Sequence, residues 1–383
     1  MSRISRFLSF LASLSLAIPL LGSAPAQAAS DHPGPAIPVC PGPVATGYTR
    51  CHSFVFPNAS SSPTGLSPAT IKSVYNFSTS LTAGIGTVIA IVDAYNDPNI
   101  ESDLNVFSST FGLPACTTAN GCFKKVNQNG SSSSFPRSNA GWALEIALDV
   151  EWAHAIAPGA KILLVEASSN SFTNLLTAED YAKTHAQYVS NSWGGSEFSG
   201  ETSYDAHFVQ TGVSFFVSSG DAGSPAEYPS ASPNVVSVGG TTLNFSGGNY
   251  ISETGWSGSG GGCSAYEVVT SDQASSGTFA QVNCGNKRGT PDVSLNADPN
   301  SGVSVYDTVK YLGQSGWFTV GGTSASSPMW AARSAAAGVV VNANFVYGNN
   351  ITFRDITSGN NGFDCLVGYD LVTGLGSWTG SAP

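Results

Sequence analysis

The stretch TVIAIVDAY (residues 87–95) is a nearly unbroken apolar, β-branched run that stops at Asp93 and a small-residue turn. A strand with water on one face alternates polar and apolar residues; this one does not, so both its faces are covered. Working outward, the same grammar repeats. A helix is expected over about 143–157, ending at Pro158-Gly159, followed by a strand in AKILLVEA (160–167). The helix TNLLTAEDYAKTHA (173–186) leads to the strand QYVSNSW, and a helix near 202–211 leads to GVSFFVSSG. NVVSVGG (234–240) continues the series. Alternating strands and helices of this kind build an α/β fold, a doubly wound and mostly parallel sheet with helices on both faces. Sites in such sheets lie beyond the carboxyl ends of the strands, where Asp93, SNSWGG and SSGDAG all fall.

Arg3 and Arg6 precede an apolar run from Phe7 to Leu21, and APAQA closes on Ala28, which together read as a cleaved export signal over 1–28. The mature chain is then expected to be secreted, with no membrane association once the signal is gone. Residues 29–66, rich in Pro, Ser and Gly, read as an irregular arm, and 67–383 as the main domain. Only 10% of residues are charged and the net charge is −11. An excess of acids over bases argues against a nucleic-acid partner and suits work at low pH, where few charges remain to repel one another. Seven cysteines in an exported chain suggest disulfides: Cys116 with Cys122, and by proximity Cys263 with Cys284 and Cys40 with Cys51, leaving Cys365. Asn-x-Ser/Thr acceptors stand at Asn58, Asn76, Asn129, Asn244 and Asn350.

In GWFTVGGTSASSPMWAA (316–332), Ser324 follows a Gly-Gly-Thr turn and opens a helix expected over 325–340. That is how a nucleophile is presented, but a serine needs a base. None of the five histidines stands in a Gly-rich turn suited to the role: His32 and His52 fall in the arm, and His154, His185 and His207 on helices. Asp93 looks like the aspartate of a Ser-His-Asp triad, yet without a histidine it reads as a decoy. The better base is on the helix GWALEIALDVEW, where Glu145 and Asp149, four apart, share a face. Buried together they avoid mutual repulsion by sharing one proton. At acid pH histidine (pKa ~6.5) is protonated and useless as a base, whereas glutamate (~4.3) is poised. Asp221, in VSSGDAGS after a strand, would repel an oxyanion when ionised but donate a hydrogen bond to it when protonated.

The ordered set ExxxD (Glu145, Asp149), SSGDAG (Asp221) and GGTSAS (Ser324) resembles the sedolisin family of serine-carboxyl peptidases, with likeness from about 64 to 376 that includes SNSWGG, PSASPNVVSVGGTTL and PDVSLNADP. The resemblance implies a subtilisin-like fold and peptidase activity at acid pH, internal or tripeptidyl, on protein or peptide substrates. Carried onto matched positions, Ser324 is the nucleophile, Glu145 the general base and acid, Asp149 its partner, and Asp221 the stabiliser of the tetrahedral intermediate. Ser192, Trp193, Gly194, Gly195, Ser219 and Gly220 line the substrate cleft. The resemblance also implies one structural calcium ion, held by Asp355, Asp370 and the carbonyls of Ile356, Leu366 and Gly368. A monomer is expected. One departure stands out: relatives are usually made with a long folded propeptide, whereas only about 38 residues separate the signal from the core, and the arm either replaces it in reduced form or the chain folds without it. The alternative function is a catalytically idle secreted binding protein on the same fold, with Ser-rich and Gly-rich loops (131–134, 257–262) as its adhesive surface.

Overall fold

The computed structural model describes Met1 and residues 34–348 and 351–380. The proposed signal, His32 and Asn350 lie outside the described residues. The core is an eight-stranded sheet. Its strands run in the order Asn249–Gly255, Val236–Ser246, Ser214–Ser218, Tyr188–Asn191, Val88–Ala94, Lys161–Ala167, Phe123–Asn127, with Val293–Asn296 also paired to Val236–Ser246. Every pairing is parallel except the hairpin at Asn249–Gly255. The TVIAIVDAY strand lies in the interior of the sheet and is buried from Ile89 to Ala94, as its unbroken hydrophobicity requires.

Two helices fix the site. Ala140–Ile156 starts at Asn139, whose side chain accepts from the backbone N–H of Gly141 and Trp142. It is buried from Trp142 to Ile156, so it has no solvent face at all, and its acids go inside with its alanines and leucines. It packs along Thr323–Ala337, the second central helix, which also leans on the strands Tyr188–Asn191 and Ser214–Ser218. The helix Phe172–Ala182 packs on Val88–Ala94 and Lys161–Ala167. The segment expected as a helix near 202–211 is a 3-10 helix, Glu201–Phe208, entered through Gly200 in the left-handed region (φ +97°). Among the described residues no helix is long and apolar enough to cross a membrane.

The disulfides Cys40–Cys51, Cys116–Cys122 and Cys263–Cys284 form as expected, and Cys365 is free and buried. The arm departs from expectation. From residue 34 it is not an irregular appendage: Phe54–Val55 pairs antiparallel with both Ile37–Pro38 and Gln314–Gly321, and Arg50–Cys51 pairs with Trp193–Ser196. Val39, Cys51, His52, Ser53, Val55 and Phe56 are all buried. The Pro and Gly residues shape a path between short pairings too brief to show a two-residue period, which is why composition alone read as an irregular arm.

Candidate active site

Gly322 lies in the left-handed region (φ +106°) just before the helix Thr323–Ala337, a turn that a side chain would strain and obstruct. A Cβ there would collide with the His52 carbonyl and stand 2.5 Å from Asp221 Oδ2 and 2.6 Å from Ser53 Cα. Ser324 is in the first turn, so its N–H has no partner within the helix; it donates to the carbonyl of His52 at 2.9 Å. Pro328, four residues on, has no N–H to give to the Ser324 carbonyl. Ser192 Oγ donates to that carbonyl instead, at 3.4 Å, while Ser324 Oγ donates to the Ser192 carbonyl at 3.3 Å.

Glu145 reaches the same place from the neighbouring helix and is buried. Its Oε2 accepts from Ser53 Oγ, and its Oε1 has no hydrogen-bond partner. Burial pushes its pKa up to about 8, against the hydroxyls of Ser324 and Ser53, which favour the ionised form. Asp149, one turn further along, is buried with both oxygens unpartnered. Asp93, at the end of its strand, is likewise buried and unpartnered. Burial comes first for both; repulsion by Glu145 and Glu166 adds to it for Asp93, and repulsion by Asp93 and Glu145 for Asp149, which raises both far above the ordinary carboxylate range. Asp221 Oδ1 accepts from Thr323 N at 2.7 Å and Thr323 Oγ1 at 2.9 Å, and its Oδ2, facing the His52 carbonyl, has no partner. Burial raises Asp221 to about 7, opposed by attraction to His52 and the Thr323 bonds. The Ser324 amide on the His52 carbonyl, Glu145 on the Ser53 hydroxyl and the unpartnered Oδ2 of Asp221 are thus gathered around one peptide link.

Comparison with known proteins follows from that geometry. The model of the Subtilase family matches residues 84–351, most of the chain. The chain belongs to the subtilase family. Its relatives within the family are of sedolisin type. It is 31% identical to kumamolisin of Bacillus sp. (strain MN-32) over 83% of this chain and 63% of the relative. It is 28% identical to xanthomonalisin of Xanthomonas sp. (strain T-22), over 81% of this chain and 45% of that protein. The solved Pseudomonas sedolisin, described as a serine-carboxyl proteinase complexed with pseudo-iodotyrostatin, superposes with TM-score 0.69 at 27% identity, covering 84% of this chain and 96% of that one. The chain therefore spans less than two thirds of the length of these curated relatives. Sphericase, at 18% identity and TM-score 0.53, shares the fold.

In this subtilase chain the backbone of Gly194 and Trp193 forms the wall on which Arg50 and Cys51 pair, Gly195 pairs with Tyr228 on the other side, and the Ser192 carbonyl accepts from His52 N at 3.2 Å. Trp193 contributes backbone only. Its indole is buried, donates to the Val92 carbonyl at 2.9 Å and packs edge-on against Phe172. Gly220 N donates to Thr323 Oγ1 at 3.2 Å, and Ser219 Oγ is buried and unpartnered. The segments of the expected calcium site do meet. Gly368 N donates to Asp355 Oδ2 and Leu366 N to Asp370 Oδ2. Gln281 binds the carbonyls of Val367 and Tyr369, the two in that loop not assigned to the ion. Two carboxyls and loop carbonyls drawn together in this way fit a hard cation. Sequence reasoning missed His52 and Ser53, which reach the site from the arm, and Ser218 and Glu227, which hold the His52 ring. It also set Asp93 aside for want of a histidine, and the structure buries it within electrostatic reach of Glu145 and Asp149. The one available signal was position, and only for two of them: Asp93 and Ser218 lie at the carboxyl ends of strands, whereas Glu227 opens the two-residue strand Glu227–Tyr228.

Proposed function

We propose that the chain is a secreted serine-carboxyl peptidase acting at acid pH on protein or peptide substrates. The observation that carries this reading is the gathering of Ser324, Glu145 and Asp221 around one peptide link: the Ser324 N–H donates to the His52 carbonyl, Glu145 takes the Ser53 hydroxyl, and Asp221 Oδ2 stands unpartnered beside Gly322. Ser324 Oγ attacks the substrate carbonyl carbon while ionised Glu145 takes the hydroxyl proton. The negative charge that develops on the carbonyl oxygen is met by the Ser324 N–H at the helix start and by the proton of Asp221 Oδ2. Glu145 passes its proton to the leaving amine, and water then hydrolyses the acyl-enzyme by the same route in reverse. Asp149, with Asp93 beside it, keeps a proton in the buried stack and so sets no second negative charge against Glu145 when Glu145 ionises. Substrate backbone pairs with Ser192, Gly194 and Gly195 as an added strand. A structural calcium ion bound by Asp355, Asp370 and the carbonyls of Ile356, Leu366 and Gly368 would clamp the C-terminal loops.

The test is hydrolysis of a peptide library between pH 2 and 9 by the chain and by its Ser324→Ala and Glu145→Ala variants. Cleavage greatest at acid pH and lost in both variants is the expected result; an optimum above neutrality, or activity surviving in either variant, refutes the mechanism.

A further inference from the structure

Four buried acids that the proposed reaction does not use come together where three parts of the chain meet. These are the loop that leaves the strand Val88–Ala94 and enters the helix Ile100–Phe111, the helix Ala140–Ile156, and the hairpin strand Val303–Tyr311. The loop supplies Asp97 and the helix it enters Asp103; the strand supplies Asp307 and the long helix Glu151. None of the four is more than 1% exposed. One carboxyl oxygen from each of Asp97, Asp103 and Asp307 lies within 4.8 Å of the other two. From this geometry we propose that Asp97, Asp103, Asp307 and Glu151 form a second calcium site, buried and separate from the C-terminal loops. It does not rest on the peptidase reading.

Three of the carboxyls are anchored by one oxygen and free at the other. Asp97 Oδ1 accepts from Asn99 N at 2.8 Å, Asp307 Oδ1 from Val309 N at 2.7 Å and Glu151 Oε2 from Tyr306 N at 3.0 Å. The second oxygens, Asp97 Oδ2, Asp307 Oδ2 and Glu151 Oε1, are buried with no hydrogen-bond partner. Asp103 takes the N–H of Thr308 at 2.8 Å and shares the Thr308 hydroxyl between its two oxygens at 2.9 Å. A carboxylate oxygen so engaged still has lone pairs with which to ligate. Thr308 is held in turn by Asn99 Nδ2 at 3.0 Å, which fixes loop and strand to each other around the acids.

Glu151 is the observation that points beyond a chance cluster. It arrives on a different helix, wholly buried, with one oxygen unspent, and Asp103, Asp307 and Asp97 all repel it. Asp103 also repels Asp97, and both repel Asp307. Buried charges of one sign persist when they are paired or bind a metal. Among the described residues no Lys, Arg or His forms an ion pair with Asp103, Asp307 or Glu151. Lys125, which attracts Asp97, has its ammonium on the Asp97 carbonyl, Asn96 Oδ1 and Glu166.

The donors select the ion. All are carboxyl oxygens, which suit a hard cation and not zinc or copper. Calcium holds oxygens at about 2.3–2.6 Å, so ligands on opposite sides of it stand roughly 5 Å apart, and three oxygens within 4.8 Å of one another fit around it. Magnesium, at about 2.0–2.1 Å, spans only about 4.2 Å and retains several waters, which a buried set of side chains does not favour. The ion ties the helix that carries Glu145 and Asp149 to the loop that follows Asp93, and so braces the reacting groups without touching them. Burial also slows its exchange. Asp355 is exposed, so a chelator strips the C-terminal loops and leaves the inner ion in place.

The experiment counts calcium per chain by plasma mass spectrometry, on full chain made with calcium at pH 7, then treated with EDTA and desalted. Expected is one calcium per chain after chelation in the parent and in Asp355→Asn, released at least tenfold faster when urea accompanies the chelator. None is expected in Asp97→Asn or Asp307→Asn, whose side-chain carbonyls keep the backbone bonds but supply no charge. If folded Asp355→Asn retains no calcium, or folded Asp97→Asn and Asp307→Asn retain as much as the parent, the inference is overturned and protons alone neutralise the four acids. Should a cluster variant fail to fold by circular dichroism, the count in Asp355→Asn decides, because its C-terminal loops have already lost a ligand.

Discussion

Replacing Asp221 separates two accounts of how a carboxyl can serve an oxyanion. Its Oδ1 already accepts two hydrogen bonds from Thr323, which leaves Oδ2, buried and unpartnered, as the oxygen that carries the proton toward the substrate carbonyl. Asn reproduces that distribution: its carbonyl oxygen can take the Thr323 bonds and its amide N–H can replace the acid O–H. Losing one donor of an oxyanion costs about 10²–10³ in kcat, or about 2.7–4 kcal/mol of transition-state stabilisation. Asp221→Ala is therefore expected to lose about 10²–10³ in kcat at pH 4, while Asp221→Asn stays within about tenfold of the parent, since a neutral donor remains. The pH profiles diverge as well. Asp221 is neutral below about 7 and anionic above it, so the parent loses its donor as pH rises through that value. Asn does not titrate, and this limb is expected to weaken or vanish in Asp221→Asn. The assay is steady-state hydrolysis of one good peptide from pH 3 to 8, on chains whose arm has been removed or displaced. If Asp221→Asn is as impaired as Asp221→Ala at pH 4, with both folded by circular dichroism, a neutral donor is not what the position supplies.

Glu179 is buried with both oxygens unpartnered, and burial lifts it to about 8. A raised carboxyl stabilises the fold fully below its unfolded value, near 4, and that stability is lost as pH rises toward 8; at about 1.4 kcal/mol per unit, the loss by pH 7 is on the order of 3 kcal/mol. Calorimetry is expected to show a Tm that falls from pH 4 to pH 7 in the parent and falls several degrees less in Glu179→Gln; equal slopes would refute this. Stripping calcium with a chelator should lower Tm, by the equivalent of about 2.7 kcal/mol where free ion had stood at a hundred times Kd, and Asp355→Asn should remove that response. An unchanged Tm would exclude the ion. Glu145→Gln, which can neither accept nor relay the serine proton, is expected to cut kcat at least 10²-fold with KM changed less than threefold, measured on peptides at pH 4; a KM effect alone would make Glu145 a binding residue.

Most of the fold was legible because its signals are local. The unbroken strand at 87–95, the paired acids four apart and the Gly-Gly-Thr turn each express a geometry within one element, and each formed where expected. What the sequence concealed depends on pieces far apart along the chain. His52 meets Ser218 and Glu227 across 166 and 175 residues, and nothing in the composition of the arm announces two-residue strands. Asp93 was set aside for a related reason: a search for one missing partner type, histidine, did not look to the acids that a helix brings near it. The segment at 202–211 failed differently, since a tight 3-10 turn and an α-helix draw on similar residues and its left-handed Gly200 entry is visible only in the backbone.

Ser192 touches the nucleophile twice, through its hydroxyl and through its carbonyl, and the second contact exists alongside one to the bound backbone. A carbonyl oxygen has two lone pairs, and an incoming peptide N–H competes there with the serine hydroxyl. As a strand docks and draws on that oxygen, the hydroxyl is eased off its parking place and left to find the glutamate. The missing amide of Pro328 thereby ties recognition to activation: a residue that gives nothing to its own helix lets the wall of the groove sense cargo and unlatch the blade.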